Sequence, residues 1–233
     1  MLGIVFTGAE GPPPVAIKQL IGGEAALVAK DTLLIAADSG LLMAEEAGLW
    51  PHWLVGDMDS IDTVSRLEKY PPERIIYHKA DKDYTDTELA FSLALEKGCG
   101  EVWIIGGGGG RIDHLFGIRS LFERDVFPSR WVTGGEDIRC IEAAPVGTPL
   151  GELSLDIMAG ALVSVFPLGG GPWKAKSSGL KWPLDNLSWS RGFFGLSNIA
   201  VKNKISITAE AGRFMVIIPL PPEQEEKNVS NNN

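Results

Sequence analysis

The stretch Trp53-Leu54-Val55-Gly56-Asp57-Met58-Asp59-Ser60 joins a short, wholly apolar run to two aspartates one residue apart. A run that is apolar throughout, rather than at alternate positions, belongs to a strand covered on both faces. Such strands occur in parallel sheets, where ligands gather beyond the carboxyl ends. The same punctuation recurs through the first half of the chain. Leu2–Phe6 stops at Thr7-Gly8, Leu33–Ala37 at Asp38, Ile75–Tyr77 at His78, Val102–Ile105 at a glycine run, and Arg130–Thr133 at Gly134-Gly135.

Between these runs Leu41–Ala47, Val64–Lys69 and Thr87–Lys97 have helical spacing; in the last, Leu89, Ala90, Leu93 and Ala94 share a face and Thr85 or Thr87 can cap the start. Strands alternating with helices imply right-handed βαβ units. After about residue 137 the pattern becomes strands separated by Gly and Pro turns: Ile138–Ala143, Ser154–Ile157, Ala161–Pro167, Phe193–Ala200, Ile205–Ala209 and Phe214–Pro219. We expect an α/β N-terminal domain with a mostly parallel sheet flanked by helices (1–136), an all-β sandwich domain (137–222) and a disordered tail (223–233).

A chain of 233 residues that is 45% hydrophobic and 22% charged has the length and composition to bury its own core. Its net charge of −9 argues against broad attraction to nucleic acid or anionic lipid, which draws on clustered Lys and Arg. Met1–Phe6 is too short for a signal or spanning segment. Cys99 and Cys140 have no CxxC spacing and read as reduced apolar fillers, which fits the cytoplasm.

The aspartates follow successive strands: Asp38, then Asp57 and Asp59, then Asp81, Asp83 and Asp86, then Asp113 after the glycines. Two unit charges about 4 Å apart repel by roughly 4 kcal/mol at an effective dielectric of 20, so a convergent set calls for a cation or for protonation of some of the carboxylates. Oxygen-only ligands favour Mg²⁺, which completes its shell with water and substrate phosphates. Singly, each acid has a plainer reading. Asp38-Ser39-Gly40 can be a cap or turn, Asp57 to Ser60 a capped turn or the DxD of a nucleotide-sugar transferase, and Asp83 or Asp86 a partner for a helix dipole.

The run Gly106 to Gly110 followed by Arg111 brings flexible backbone and a fork of donors toward phosphate, or forms an ordinary turn. It is neither a Walker A loop nor a GxGxxG fingerprint. His114 reads as a structural residue, and Asp113 as the better candidate for chemistry. Trp182 and Trp189 read as core.

Taken in order, Ala37-Asp38-Ser39-Gly40, Gly56 to Ser60, Asp81-Lys82-Asp83-Tyr84-Thr85-Asp86-Thr87-Glu88, Gly110-Arg111-Ile112-Asp113-His114, Ser178-Gly179-Leu180-Lys181-Trp182-Pro183-Leu184 and Gly195-Leu196-Ser197-Asn198 resemble the motifs of the thiamine pyrophosphokinase family. That resemblance implies transfer of the diphosphate of ATP to the hydroxyl of thiamine, with Mg²⁺, in a homodimer with shared sites. It places Asp57, Asp59, Asp86 and Asp38 around the metal, and Asp38, Ser39, Lys82, Thr85, Arg111, Asp113 and His114 on the ATP side. Ser197 and Asn198 would border thiamine. Asp57, Asp86, Asp113, Asp83 and Arg111 would carry the chemistry, with Asp113 or Asp83 as proton acceptor. After the Ser-Asn pair Ile199-Ala200-Val201 stands where animal members carry an aromatic residue. The rival readings are a DxD glycosyltransferase and a non-catalytic nucleotide or thiamine sensor.

Overall fold

A computed structural model describes residues 1–22, 31–59, 64–79, 81, 83–144 and 151–220. Lys82 and the tail over 223–233 lie outside the described residues. The first half contains β1 (Leu2–Thr7), α1 (Pro14–Ile21), β2 (Thr32–Ala37), α2 (Gly40–Glu46), β3 (Trp53–Gly56), α3 (Val64–Leu67), β4 (Ile75–Tyr77), α4 (Asp86–Glu96), β5 (Glu101–Gly106), α5 (Ile112–Leu121) and β6 (Arg130–Val132). The six strands run parallel in the order β6-β5-β1-β2-β3-β4.

Both faces of that sheet are covered, which explains the unbroken apolar runs. Ile17 and Ile21 of α1 and Ala44 of α2 pack on Leu2, Ile4, Phe6 and Leu34. On the other face Ala90, Phe91, Leu93 and Ala94 of α4 meet Val5, Ile35, Ala37 and Val55. Ile118 and Leu121 of α5 join Ile104 and Trp131 on that side. The helix α5 carries Gly117 and opens on Arg111 with no side-chain cap, and α1 is a short helix begun by proline. Neither was expected, because each lacks the capping residue and long apolar stripe that announce a helix.

The second half adds β7 (Glu136–Glu142), β8 (Glu152–Asp156), β9 (Leu162–Leu168), β10 (Lys174–Ser178), β11 (Gly195–Ile199), β12 (Lys204–Ala211) and β13 (Arg213–Pro219). Strand β7 pairs antiparallel with β6, and β11-β9-β13-β7 continues the parallel strands into one ten-stranded sheet. A three-stranded sheet, β10-β12-β8, packs on this extension through Ala175, Ile205, Ile207 and Ala209 against Val163, Val165, Phe214 and Val216. The result is a mostly parallel sheet with helices joined to an antiparallel, sandwich-like region. The change near residue 137 is therefore a reversal of strand direction within a continuous ladder. The run expected over 193–200 is strand only from Gly195 to Ile199, because Phe193 closes a turn onto Ser190.

At the reversal, the buried Asp137 accepts two hydrogen bonds from Arg130, both 2.8 Å, and two from Arg139, at 2.8 and 2.9 Å. Burial alone would raise the Asp137 carboxyl, but the two guanidinium groups outweigh it and hold it below the ordinary carboxylate range. Cys99 and Cys140 are free and buried, as their spacing implied. Burial pushes the Cys140 thiol up to about 12. Among the described residues no helix is long and apolar enough to cross a membrane.

Candidate active site

The carboxyl ends of β1, β2, β3 and β5 lie side by side, since Thr7 pairs with Ala37 and Gly106, and Ala37 with Val55. The residues that follow these ends therefore share one rim. Asp38 follows β2 with a left-handed φ of 46°, fixed by its amide donating to the Val55 carbonyl at 2.9 Å. After β3, Met58 takes a φ of 61° and is buried against Ala36, Leu41, Leu54 and Tyr70. Sinking the middle residue anchors the loop that carries Asp57 and Asp59. Non-glycine residues at positive φ cost of order 1–3 kcal/mol and gather where a site needs a particular geometry.

Carboxylate oxygens of Asp38, Asp57 and Asp59 all lie within 4.8 Å of one another. An oxygen-only set this tight fits a hard divalent cation such as Mg²⁺. Asp86, the first residue of α4, stands beside them: a Cβ on Gly56 would lie 3.0 Å from Asp86 Oδ1 and 3.3 Å from Asp38 Cβ. The four acids expected around a metal thus comprise a convergent trio and an adjacent fourth.

Helix α4 is set by a capping box in which the Thr85 hydroxyl accepts from the Glu88 amide and the Glu88 carboxylate accepts from the Thr85 amide. Thr85, and not Thr87, is the cap; its side chain is spent on the helix end. Thr87 is buried and meets Thr7 instead. Ser39 rests over Gly8, close enough that a side chain at that glycine would collide with its hydroxyl. Asp83 is exposed in the loop before α4.

On the glycine side, Arg111 donates twice to Asp113, at 3.1 and 2.5 Å, in an exposed pair at the start of α5. That pairing holds the Asp113 carboxyl below its ordinary value and raises Arg111. A carboxylate held down by its own guanidinium is a weaker base, so Asp113 is better placed to orient Arg111 than to take a proton. His114 is exposed, and its backbone amide donates to Asp113.

In the antiparallel region Ser197 has a φ of 56° and is exposed, while Asn198 is buried. The Asn198 amide accepts from the Trp182 nitrogen at 3.1 Å and donates to its carbonyl at 2.6 Å. Asn198 therefore pins the Trp182 segment, and Ser197 is the half of the pair that faces out. Trp189 packs against the core beside Phe214, as expected. Trp182 does not: it is 51% exposed, with the Lys181 ammonium over its ring.

Two family domains match the sequence that builds this site. Residues 25–127 match the one described as thiamin pyrophosphokinase, catalytic domain, and residues 152–214 the one described as thiamin pyrophosphokinase, vitamin B1 binding domain. The chain belongs to the thiamin pyrophosphokinase family. Among curated relatives, the thiamine pyrophosphokinase of Bacillus subtilis (strain 168) is 38% identical over 111 residues, 47% of this chain and 51% of the relative. Thiamin pyrophosphokinase 1 of Caenorhabditis elegans is 27% identical over 149 residues, 61% of this chain and 59% of the relative. The chain thus spans about half the length of the curated relatives it matches. The crystal structure of the Bacillus subtilis thiamine pyrophosphokinase superposes with a TM-score of 0.73 at 27% identity, covering 94% of this chain and 98% of that one. The Geobacillus thermodenitrificans structure superposes at 0.71 and 24% identity, over 96% and 99%, and speaks for the fold. Membership of this family disfavours the nucleotide-sugar reading of Asp57 and Asp59.

Sequence reasoning missed two contributors to the rim: Thr7 gave no signal beyond ending a strand, and Met58 only the apolar middle of a DxD.

Proposed function

We propose that the chain transfers the diphosphate of ATP to the hydroxyl of thiamine, releasing AMP, with Mg²⁺ held by Asp38, Asp57 and Asp59 and with Asp86 adjacent. The observation that carries this reading is the convergence of those acids on the strand-end rim, in a chain whose two halves match the catalytic and vitamin B1 binding descriptions. The cation would supply charge neutralisation at the phosphate oxygens.

The thiamine oxygen attacks the β-phosphorus, the bond from that phosphorus to the bridging oxygen of the α-phosphate breaks, and AMP leaves. Phosphoryl transfer depends chiefly on positioning and electrostatics, which suits a rim of preset loops. Arg111, its plane fixed by Asp113, offers a directed fork of donors to the phosphates. Asp83 lies outside the acidic trio and is exposed, and we assign it the hydroxyl proton. The acidic rim also favours approach of the thiazolium cation.

Ser197, beside the pinned Trp182 segment, would border thiamine. An exposed apolar strip on the edge strand β11 and its neighbours, with Leu196 57%, Leu162 54% and Phe194 45% exposed, supports a second copy of the chain covering this region. In that homodimer each site draws on the rim of one subunit and the Ser197 region of the other.

Incubation with ATP, Mg²⁺ and thiamine tests the reading: AMP and thiamine diphosphate should appear in equal amounts. ADP as the nucleotide product, or no thiamine ester, would overturn it.

A further inference from the structure

Glu10 occupies a position on the rim that the proposed chemistry does not use. Its backbone forms an antiparallel bridge with the glycine run, the Glu10 amide donating to the Gly108 carbonyl at 2.8 Å and the Gly108 amide to the Glu10 carbonyl at 2.7 Å. One step earlier the Gly107 amide donates to the Gly8 carbonyl at 2.9 Å. Between these bonds Ala9 is held at a φ of 69°, a left-handed turn that only a constrained loop imposes on alanine.

That turn aims the Glu10 side chain across two glycines. A Cβ on Gly109 would lie 2.7 Å from Glu10 Oε2, and one on Gly134 would collide with Oε1. The carboxylate fills the space left by absent side chains at the ends of β5 and β6. It is exposed, and among the described residues it has no cationic partner.

An acceptor-only carboxylate beside Gly109 and Gly134 repels phosphate at that spot, so the terminal phosphates belong nearer the acidic trio and Arg111. The acidic trio lies after β2 and β3, which are two and three strands from β5. At about 4.8 Å per strand this is roughly 10–14 Å. A nucleoside triphosphate with its terminal phosphates at the trio would bring its sugar to the glycine side, where hydroxyl donors meet an acceptor. A carboxylate binding ribose hydroxyls beside a glycine-rich turn is a recurrent solution in nucleotide sites.

We propose that Glu10 is a positioning and specificity residue that accepts hydrogen bonds from the ribose hydroxyls of the nucleotide. This rests on the reading of ATP as co-substrate. The test compares the full-length wild type with Glu10→Ala, Glu10→Gln and Glu10→Asp. Binding of the α,β-methylene analogues of ATP and of 2′-deoxy- and 3′-deoxy-ATP is measured by calorimetry, and the kinetic constants with the three natural nucleotides and thiamine are measured in parallel.

The wild type should discriminate against at least one deoxy form, and Glu10→Ala should bind the ribo form about ten- to a hundred-fold more weakly while losing that discrimination. Glu10→Asp should retain part of it, KM for ATP should rise more than kcat falls, and KM for thiamine should stay unchanged. A carboxylate that merely repels phosphate predicts the opposite sign, tighter binding by Glu10→Gln, and that result overturns the proposal. So does an unchanged ribo-to-deoxy ratio, or an effect confined to thiamine. If the wild type binds none of the analogues, the nucleotide reading itself fails; binding with unaltered discrimination sinks the Glu10 assignment alone.

Discussion

The hydroxyls of Thr7 and Thr87 lie 2.6 Å apart in the interior, bonding the last residue of β1 to the first turn of α4. Asp86 directly precedes Thr87, so this bond fixes the carboxylate that stands beside Asp38. Thr87→Val leaves the Thr7 hydroxyl buried without a partner and should cost about 1–3 kcal/mol, seen as a lower thermal midpoint. Turnover should fall more than nucleotide affinity, because Asp86 loses its register. Adding Thr7→Val should recover stability, since replacing both hydroxyls removes the orphan; a double variant no better than the single would refute the pairing.

Asp57→Asn and Asp59→Asn should each abolish AMP release with thiamine while leaving the thermal midpoint near that of the wild type. Asp59 is exposed and Asp57 half-buried, on a loop whose anchor is Met58. Titration calorimetry with Mg²⁺ and a non-transferring ATP analogue should show the loss at the binding step. Near-normal turnover by either variant would count decisively against the metal site.

Gly56 has a φ of 145° and little room toward Asp86 and Asp38. Gly56→Ala should therefore destabilise by about 1–3 kcal/mol through backbone strain. It should also cut kcat sharply, because the new methyl group separates two acids of the rim. Chemical denaturation and steady-state kinetics measure the two effects separately, and unchanged kinetics would show that the acids need not be this close.

Asp137 makes stability depend on acid in a defined direction. Its folded pKa is depressed by Arg130 and Arg139, so its contribution is complete above the unfolded value of about 4 and is lost as pH falls through the lower folded value. Asp137→Asn should be markedly less stable at pH 7, by about 3–5 kcal/mol, since it leaves a buried guanidinium without its counter-charge. Denaturation curves between pH 2 and 7 should show the gap closing toward the acid end; a constant gap would argue against the linkage.

Mixing Asp57→Asn protein with an inactive Ser197 variant should restore part of the activity if each site draws on two subunits. No recovery in confirmed mixed dimers would reject shared sites.

Much of this arrangement was legible because its signals are local. Most strand ends of the first half were marked by an apolar run stopping at Gly or Asp, and Asp38, Asp57 and Asp59 were among the acids that those marks singled out. What escaped depends on distant partners. Strand β10 buries Ala175 but otherwise reads as polar, and Lys174 and Lys176 both pair with Glu210 on the neighbouring strand. Sheet continuity across residue 137 is a pairing between segments, which composition cannot reveal. The family resemblance placed Asn198 beside thiamine, and it could not show that the amide also bonds the distant Trp182 backbone.

The ladder through β6 and β7 has a mechanical consequence. A hinge between the two halves would have to tear backbone hydrogen bonds and the Arg130–Asp137 pair along with them. Relative motion of the two halves is accordingly restrained, and heat should melt the helical and sandwich halves together in one cooperative step.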